Sequence, residues 1–312
     1  MADVDKRGQI VLVTALAIAV ALVALVLLLN TVIYAENLAT RGADVGGQDV
    51  VTYRNAVERG VGGTIDAENR LDYGGHDVAR ENVSAAVDRI DTLLARQHLR
   101  RTELVEISNL SMTNGAILRH PTDTDNFSSA GGSDAWTLAT GVPATRGFVM
   151  TVDRSDVTAT GTTGAFHVVL DDGSNQWIAY VYDDGDLTVA VKNATDSSAS
   201  VACTATGTNA TIDFTRGTVD GDPCPGLSFG TGLSGNYSIE FGEGDAAGGT
   251  YNLTVKRDPD ADPSMQTVFN GPGSGTAPYY AYAVYDATVD VRYRTDALRF
   301  TDRFRVAPGE PT

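Results

Sequence analysis

Three alternating aspartates come closest in this chain to the spacing of a metal site. Asp258, Asp260 and Asp262 are separated by single residues, so their carboxylates could face one ion, as in oxygen-rich calcium loops. The segment lacks the glycine and the distal glutamate of a complete calcium loop. We favour the alternative, a solvated acidic linker, and expect neither a resident metal nor a cofactor.

A serine between two glycines is a formal candidate for nucleophilic catalysis. Gly226-Leu227-Ser228-Phe229-Gly230 matches the nucleophile-elbow pattern, which works only where a strand turns sharply into a helix. Here Cys224-Pro225 precedes the motif and another glycine-rich stretch follows it. No pair among the four histidines has the spacing of metal ligands: His76, His98, His120 and His167. We therefore expect no catalytic residues and a protein that is not an enzyme.

The chain has two cysteines, Cys203 and Cys224. Thiols that are close in sequence in an exported protein tend to be oxidised, and a loop of this size would stabilise the fold by roughly 3 kcal/mol. Two cysteines supply too few ligands for a zinc site. We expect a disulfide, with two free buried thiols as the alternative.

Seven asparagines lie in N-x-S/T sequons, which mark surface positions for glycans in an exported chain. Asn82 and Asn109 bracket a predicted helix and are the weaker candidates. The other five are the expected glycosylation sites: Asn126, Asn193, Asn209, Asn236 and Asn252. Accidental sequons in threonine-rich strands are the alternative.

Aromatic and basic residues suggest two kinds of contact surface. Tyr180 and Tyr182 share one strand face while Trp177 points the other way, so a carbohydrate platform would hold only part of this set. Five arginines follow one another near the end of the chain, where they could pair with nearby aspartates or dock onto an acidic neighbouring subunit: Arg292, Arg294, Arg299, Arg303 and Arg305.

The net charge is −17, and it falls on the part of the chain after the first few residues. Such a surface repels nucleic acid and anionic lipid, so we expect neither as a partner. High aspartate with little lysine is typical of a protein that stays hydrated in concentrated salt, where charge repulsion is screened. An ordinary acidic extracellular protein is the alternative.

Residues 10–33 form a nearly unbroken apolar run, preceded by Lys6 and Arg7. About 20 apolar residues span the hydrocarbon layer of a bilayer, whereas a secretory signal core has about 7 to 15. Because basic residues stay in the cytoplasm, the N-terminus should be cytoplasmic and the C-terminal part extracellular. We expect a single-pass protein of the cell membrane that contacts the bilayer through residues 10–33.

The segment after the apolar run has helical character. We predict a short helix over residues 48–59, a glycine-rich loop after it, and an amphipathic helix over 77–109. The second helix is indicated by Val83, Val87, Ile90 and Leu94, with Leu104 and Ile107 beyond. Its apolar stripe should pack on the β region; a seam for a partner is the alternative.

Alternating strands dominate the rest of the chain, and Asp-Gly turns join several of them. The fold class is therefore a mainly β ectodomain, an antiparallel sandwich or barrel, with an N-terminal transmembrane helix and a helical stalk or packing helix. The predicted strands are 148–152, 166–170, 177–182, 187–191, 201–206, 211–214, 237–241, 250–255, 283–293 and 298–306.

The segment Lys6-Arg7-Gly8-Gln9-Ile10 with its apolar run resembles the class III signal of haloarchaeal type IV pilin-like proteins. That resemblance implies cleavage between Gly8 and Gln9 by a prepilin peptidase, and pilus assembly machinery or other surface subunits as partners. Val13 stands where bacterial-type pilins often have glutamate. Two alternatives are an uncleaved anchor and a secreted protein cut between Ala35 and Glu36.

These expectations combine into a domain plan and a function. The plan has a leader at 1–8, a transmembrane helix at 9–34, a helical and loop-rich stalk at 35–121, a linker at 122–133 and a β domain at 134–312. The expected function is that of a non-enzymatic cell-surface protein, an atypical pilin-like subunit. A surface adhesin or carbohydrate-binding module and an exported hydrolase are the alternatives.

Overall fold

Residues 47–123 and 125–310 are described in the computed structural model, and they fold mainly as antiparallel β-structure. The chain divides into two units. The described part of the larger unit comprises residues 56–123, 125–295 and 299–310. The described part of the smaller comprises residues 47–55, which begin the first helix, and 296–298, which connect the last two strands.

The described part of the chain has three α-helices, three short 3₁₀ helices and fourteen strands. The α-helices are α1 Gly47–Glu68, α2 His76–Leu99 and α3 Met265–Val268. The strands are β1 Leu104–His120, β2 Trp136–Val142, β3 Thr145–Asp153, β4 Phe166–Asp171, β5 Gln176–Asp183, β6 Leu187–Lys192, β7 Ser200–Ala205, β8 Asn209–Asp213, β9 Thr218–Val219, β10 Asp222–Pro223, β11 Tyr237–Gly242, β12 Gly248–Val255, β13 Tyr279–Arg294 and β14 Arg299–Val306.

The strands form two sheets in which neighbouring strands pair antiparallel. One sheet has eight strands in the order β10-β9-β8-β3-β12-β1-β13-β14, and the other has six in the order β2-β11-β4-β5-β6-β7. Buried side chains from both sheets share one core: the ring of Phe241 on β11 lies 6.5 Å from that of Phe148 on β3 and 5.2 Å from that of Tyr251 on β12. The predicted mainly β fold is confirmed as a two-sheet sandwich.

Helix α2 packs against the eight-stranded sheet at β1 and β13. Val83 and Val87 on its apolar stripe are buried, so this stripe contacts the β region as predicted. Two polar contacts fix the position of the helix: the Ile107 amide donates to Asp91 at 2.7 Å, and Arg80 donates to the Asn114 side chain at 3.2 Å.

The predicted end of the second helix was wrong. The helix stops at Leu99, because Thr102 adopts a left-handed conformation with φ of 62° and the Glu103 amide donates back to the His98 carbonyl. Residues 104–120, placed in the predicted stalk, form β1 inside the eight-stranded sheet. Leu104 and Ile107 are three residues apart, a spacing that places both on one face of a helix and so favours helix over strand.

The first helix continues where the prediction placed a glycine-rich loop. Helix α1 extends through Gly60, Gly62 and Gly63 to Glu68. A Cβ at Gly60 would lie 3.3 Å from the Ile90 side chain of α2, so the missing side chain lets the two helices approach closely. Packing therefore outweighs the poor helix propensity of glycine.

The linker was predicted at residues 122–133, and its described residues, 122–123 and 125–133, are irregular in structure but contribute to the core. Phe127 is fully buried and its ring lies 4.8 Å from that of Phe166. The segment therefore contributes a core side chain to the sandwich.

No helix within residues 47–123 and 125–310 is long and apolar enough to cross a bilayer. The predicted leader, the cut between Gly8 and Gln9 and the transmembrane helix at 9–34 all lie outside the described residues.

Candidate functional site

The disulfide between Cys203 and Cys224 is present, as predicted, with 6.0 Å between the two Cα atoms. Cys203 lies on β7, an edge strand of the six-stranded sheet, and Cys224 directly follows β10, an edge strand of the eight-stranded sheet. A Cβ at Gly226 would lie 2.9 Å from Ala202, so glycine permits the close approach of the two edges. The disulfide therefore links the β7 edge of the six-stranded sheet to the β10 edge of the eight-stranded sheet.

Four of the five predicted glycosylation sites are exposed, and Asn193 is half-buried: the exposed ones are Asn126, Asn209, Asn236 and Asn252. The Asn252 side-chain oxygen accepts from Arg119 at 3.1 Å, and this contact leaves its amide nitrogen, the atom that would carry a glycan, uncommitted.

The amide nitrogens of three other sequons donate hydrogen bonds within the protein. Asn193 donates to Asp196 at 3.1 Å, Asn82 donates to the Tyr73 hydroxyl at 2.8 Å, and Asn109 donates to Asp290 at 2.7 Å. Glycosylation at these three positions would require the loss of a hydrogen bond.

The three alternating aspartates do not converge on one point. Asp258 accepts from Asn114 at 2.9 Å and lies 3.1 Å from His76, whereas Asp262 accepts from the Thr140 amide at 2.8 Å. Asp260 accepts from the Tyr282 hydroxyl at 2.7 Å. Protein donors therefore occupy these carboxylates, and the calcium hypothesis gains no support.

A different group of carboxylates lies close enough for a shared ion. Oxygens of Asp134, Glu243 and Asp245 lie within 4.8 Å of one another, and all three residues are exposed. Exposed acidic groups at this spacing are common without an ion, and we assign none here.

Ser228 lacks the surroundings of a catalytic serine. Its hydroxyl donates to the Pro225 carbonyl at 3.1 Å, and residues 225–236 form turns with no helix after them. The strand-turn-helix context of a nucleophile elbow is therefore missing at this position.

The histidines pack against aromatic rings at separate places. His120 on β1 lies 5.4 Å from the Tyr251 ring, and burial lowers its pKa. His98 contacts Glu103 at 2.5 Å, and His167 contacts the Ala165 carbonyl at 2.8 Å. Each of these side chains has a packing role in the sandwich.

Both tryptophans belong to the core. Trp177 is fully buried, and the Trp136 indole nitrogen donates to the Phe127 carbonyl at 2.9 Å. Tyr182 packs on the other face of the six-stranded sheet, beside Tyr180 and small alanines. A carbohydrate platform built on the tryptophans is therefore excluded.

Three of the five arginines on the terminal strands pair with acids of the same chain. Arg305 lies 2.6 Å from Asp286, Arg292 lies 2.8 Å from Glu106, and Arg303 lies 3.6 Å from Asp290. A pocket of about 270 Å³ is lined by Arg292 and Arg303 together with Asp290 and Asp302, so its lining carries both charges. Intramolecular pairing explains these three residues.

A second pocket, of about 230 Å³, is lined by more basic than acidic side chains and was not predicted. We call it the arginine pocket, because four arginines and one aspartate line it: Arg70, Arg119, Arg146, Arg216 and Asp66. The four arginines lie far apart in the sequence, and no local motif contains them, so only the fold reveals the pocket.

Comparison with known proteins yields one family match. Residues 4–115 match a family described as "Family of unknown function (DUF7261)". No curated protein and no solved structure matches the chain. The matched segment contains the apolar run, both long helices and most of β1.

Proposed function

We propose that this chain is a non-enzymatic, single-pass membrane protein of the cell surface, with a cytoplasmic N-terminus and an extracellular β-sandwich. Residues 9–34 are the transmembrane helix in this proposal, and the helical segment after it is a stalk or packing element. The length of the apolar run and the preceding Lys6 and Arg7 support this orientation.

The disulfide is the observation that carries the proposal. Disulfides persist in oxidising compartments and are rare in the cytosol of most cells. The disulfide between Cys203 and Cys224 therefore supports a location on the outer side of the membrane. The exposed sequons on the sandwich favour the same side, since N-glycans are added to exported chains.

A pilin-like subunit is the specific form of this proposal. The leader-like segment around Gly8 and Gln9 supports cleavage by a prepilin peptidase and contact with pilus assembly machinery. Arg294 and Arg299 face each other across β13 and β14 and are exposed, so they could meet an acidic neighbouring subunit.

Sequencing the N-terminus of the membrane-extracted protein tests the pilin form. A chain that begins at Gln9 supports it, and a Gly8→Val variant should then keep its leader, because the peptidase needs a small residue before the cut. An intact Met1 or Ala2 would contradict cleavage while leaving the membrane anchor in place.

Protease treatment of intact cells tests the orientation. The β-sandwich should be digested from outside, and thiol labelling of Cys203 and Cys224 should appear only after reduction. A sandwich that is protected in intact cells and carries free thiols would refute the surface location.

A further inference from the structure

The arginine pocket lies on one face of the eight-stranded sheet. Strand register sets Thr254 of β12 beside Ile117 of β1 and beside Arg146 of β3, and it sets Asn252 beside Arg119 in the next row. Polar side chains of three adjacent strands therefore share one surface.

The end of α1 and the C-terminal tail complete the walls. Asn69 and Arg70 follow α1, and Pro308 and Gly309 follow β14. The Arg119 guanidinium donates to the Asn69 carbonyl at 2.8 Å, which ties the first wall to the sheet. The Pro308 carbonyl accepts from Arg146 at 2.8 Å, which ties the second.

The two inner arginines are held rigidly. Arg146 is 4% exposed, and its guanidinium donates to the carbonyls of Tyr285 and Val284 and to Asp66 at 3.1 Å. Arg119 pairs with Asp72 and is mostly buried. These side chains form a fixed floor of paired guanidinium groups, because each is hydrogen-bonded to an aspartate and to backbone carbonyls.

The two outer arginines, Arg70 and Arg216, have guanidinium N–H groups that are available to a ligand. Arg216 is 73% exposed, and its ion pair to Asp213 is long at 3.7 Å. Arg70 is exposed, and its guanidinium makes no hydrogen bond or ion pair to another residue in the described part of the chain. Guanidinium groups match the two oxygens of a carboxylate and suit planar, bidentate recognition.

We propose that the arginine pocket binds an acidic sugar through its carboxylate, with Arg70 and Arg216 as the binding residues. The four arginines, set against Asp66, Asp72 and Asp213, leave one net positive charge, which would attract an anion even though the whole chain carries −17. The uncharged part of the lining suits a sugar ring: Ile117 and Pro308 offer apolar contact, and Thr254 and Asn252 are polar. The volume of about 230 Å³ suits one ring rather than a long chain.

Calorimetric titration of the full-length chain tests this ligand class. The protein is made without N-glycosylation and kept in a nonionic detergent that has no sugar headgroup, at fixed ionic strength. Glucuronate should bind at least tenfold more tightly than glucose. The double variant Arg70→Gln/Arg216→Gln should weaken glucuronate binding at least tenfold.

Arginines outside the pocket provide the matched control. The double variant Arg294→Gln/Arg299→Gln removes the same charge from the ends of β13 and β14 and should leave glucuronate binding unchanged. Equal loss in both double variants would mean that only net charge matters and would overturn the site. Equal affinity for glucose and glucuronate, or no binding of glucuronate, would also overturn it.

Further ligands distinguish the chemistry and the source of the carboxylate. If sulfate or N-acetyl-aspartate amide binds as tightly as glucuronate, the assignment to an acidic sugar fails.

The same titration on glycosylated protein shows whether a sugar on Asn252, at the rim, already fills the pocket. If glycosylated protein does not bind glucuronate but its Asn252→Gln variant does, the chain's own glycan is the source of the sugar. If glycosylated and unglycosylated protein bind glucuronate equally, the sugar comes from outside the chain. These measurements are independent of membrane anchoring.

Discussion

A buried carboxylate on β13 shows how single residues hold charge inside this fold. Asp286 is 3% exposed and accepts from Arg305 at 2.6 Å and from Lys256 at 3.1 Å. Burial raises the pKa of this carboxyl, but hydrogen bonds from Thr113, Arg305 and Lys256 outweigh burial and hold the pKa below its usual value. The neighbouring Tyr285 ring lies within 5.9 Å of three cations, so the cluster is compact.

Replacing Asp286 with asparagine should destabilise the protein by about 2 to 3 kcal/mol at pH 7, because two charged donors lose their anionic acceptor. A lowered carboxyl pKa in the folded state stabilises the protein above the unfolded-state pKa of about 3.9, and this contribution disappears as the pH falls through the folded value. The gap in unfolding temperature between parent and variant should therefore be full at pH 7 and shrink below about pH 4.

Asp290→Asn is the control for this charge effect. Asp290 is paired with the largely exposed Arg303 at 3.6 Å, so its replacement should cost less than about 1 kcal/mol. Circular dichroism melts of both variants across pH provide the measurement. An Asp286→Asn variant as stable as Asp290→Asn would contradict the role of the buried cluster.

At the scale of elements, regular alternation made most strands predictable. The ten predicted strands correspond to β3 to β8 and β11 to β14, because one buried and one exposed face per strand impose a period of two. The long strand β1 was missed, because it is covered on both faces over part of its length and has a bulge at Asn109, where φ is 51°. Sequence alone cannot show which helix will cover a strand.

The close contact of α1 with α2 gives a test that uses two neighbouring glycines. Gly60→Leu should destabilise the protein by about 1 to 3 kcal/mol, because the new side chain would overlap Ile90. A Cβ at Gly63 meets nothing within 4 Å, so Gly63→Leu should stabilise by up to about 1 kcal/mol through helix propensity. Opposite shifts in unfolding temperature are the expected result, and equal shifts would refute close packing at Gly60.

The disulfide between the sheet edges gives a second test at this scale. Cys203→Ser/Cys224→Ser should lower stability by about 3 kcal/mol, because the bond restricts the unfolded chain over a sequence separation of 21 residues. Thermal melts of the double variant and of the reduced parent should agree. If the double variant melts at the temperature of the oxidised parent, the bond does not contribute to stability.

At the scale of the whole molecule, the arginine pocket marks the limit of sequence reasoning. Arg70, Arg119, Arg146 and Arg216 are brought together by the end of one helix, two strands and a loop. Each arginine alone resembles a surface charge in the sequence. The sequons and cysteines, by contrast, were recognisable because their chemistry is encoded within a few residues.

The anchor proposed for residues 9–34 determines where the whole molecule works. Leu22 and Val26 lie near the middle of the apolar run, and an arginine at the bilayer centre costs about 2.5 to 3.5 kcal/mol. The double variant Leu22→Arg/Val26→Arg should therefore leave the membrane fraction or fail to be exported.

Two exposed apolar residues on α2 give a control with the same change in chemistry. Val78 and Leu93 are 51% and 64% exposed, so Val78→Arg/Leu93→Arg adds the same charge to a surface that already contacts water. That variant should remain in the membrane fraction at the parental level, as measured by fractionation and immunoblotting. If both double variants are recovered there equally, residues 9–34 do not hold the protein in the bilayer. The β-sandwich would then need another attachment to the cell, since the net charge of −17 disfavours binding to anionic lipid.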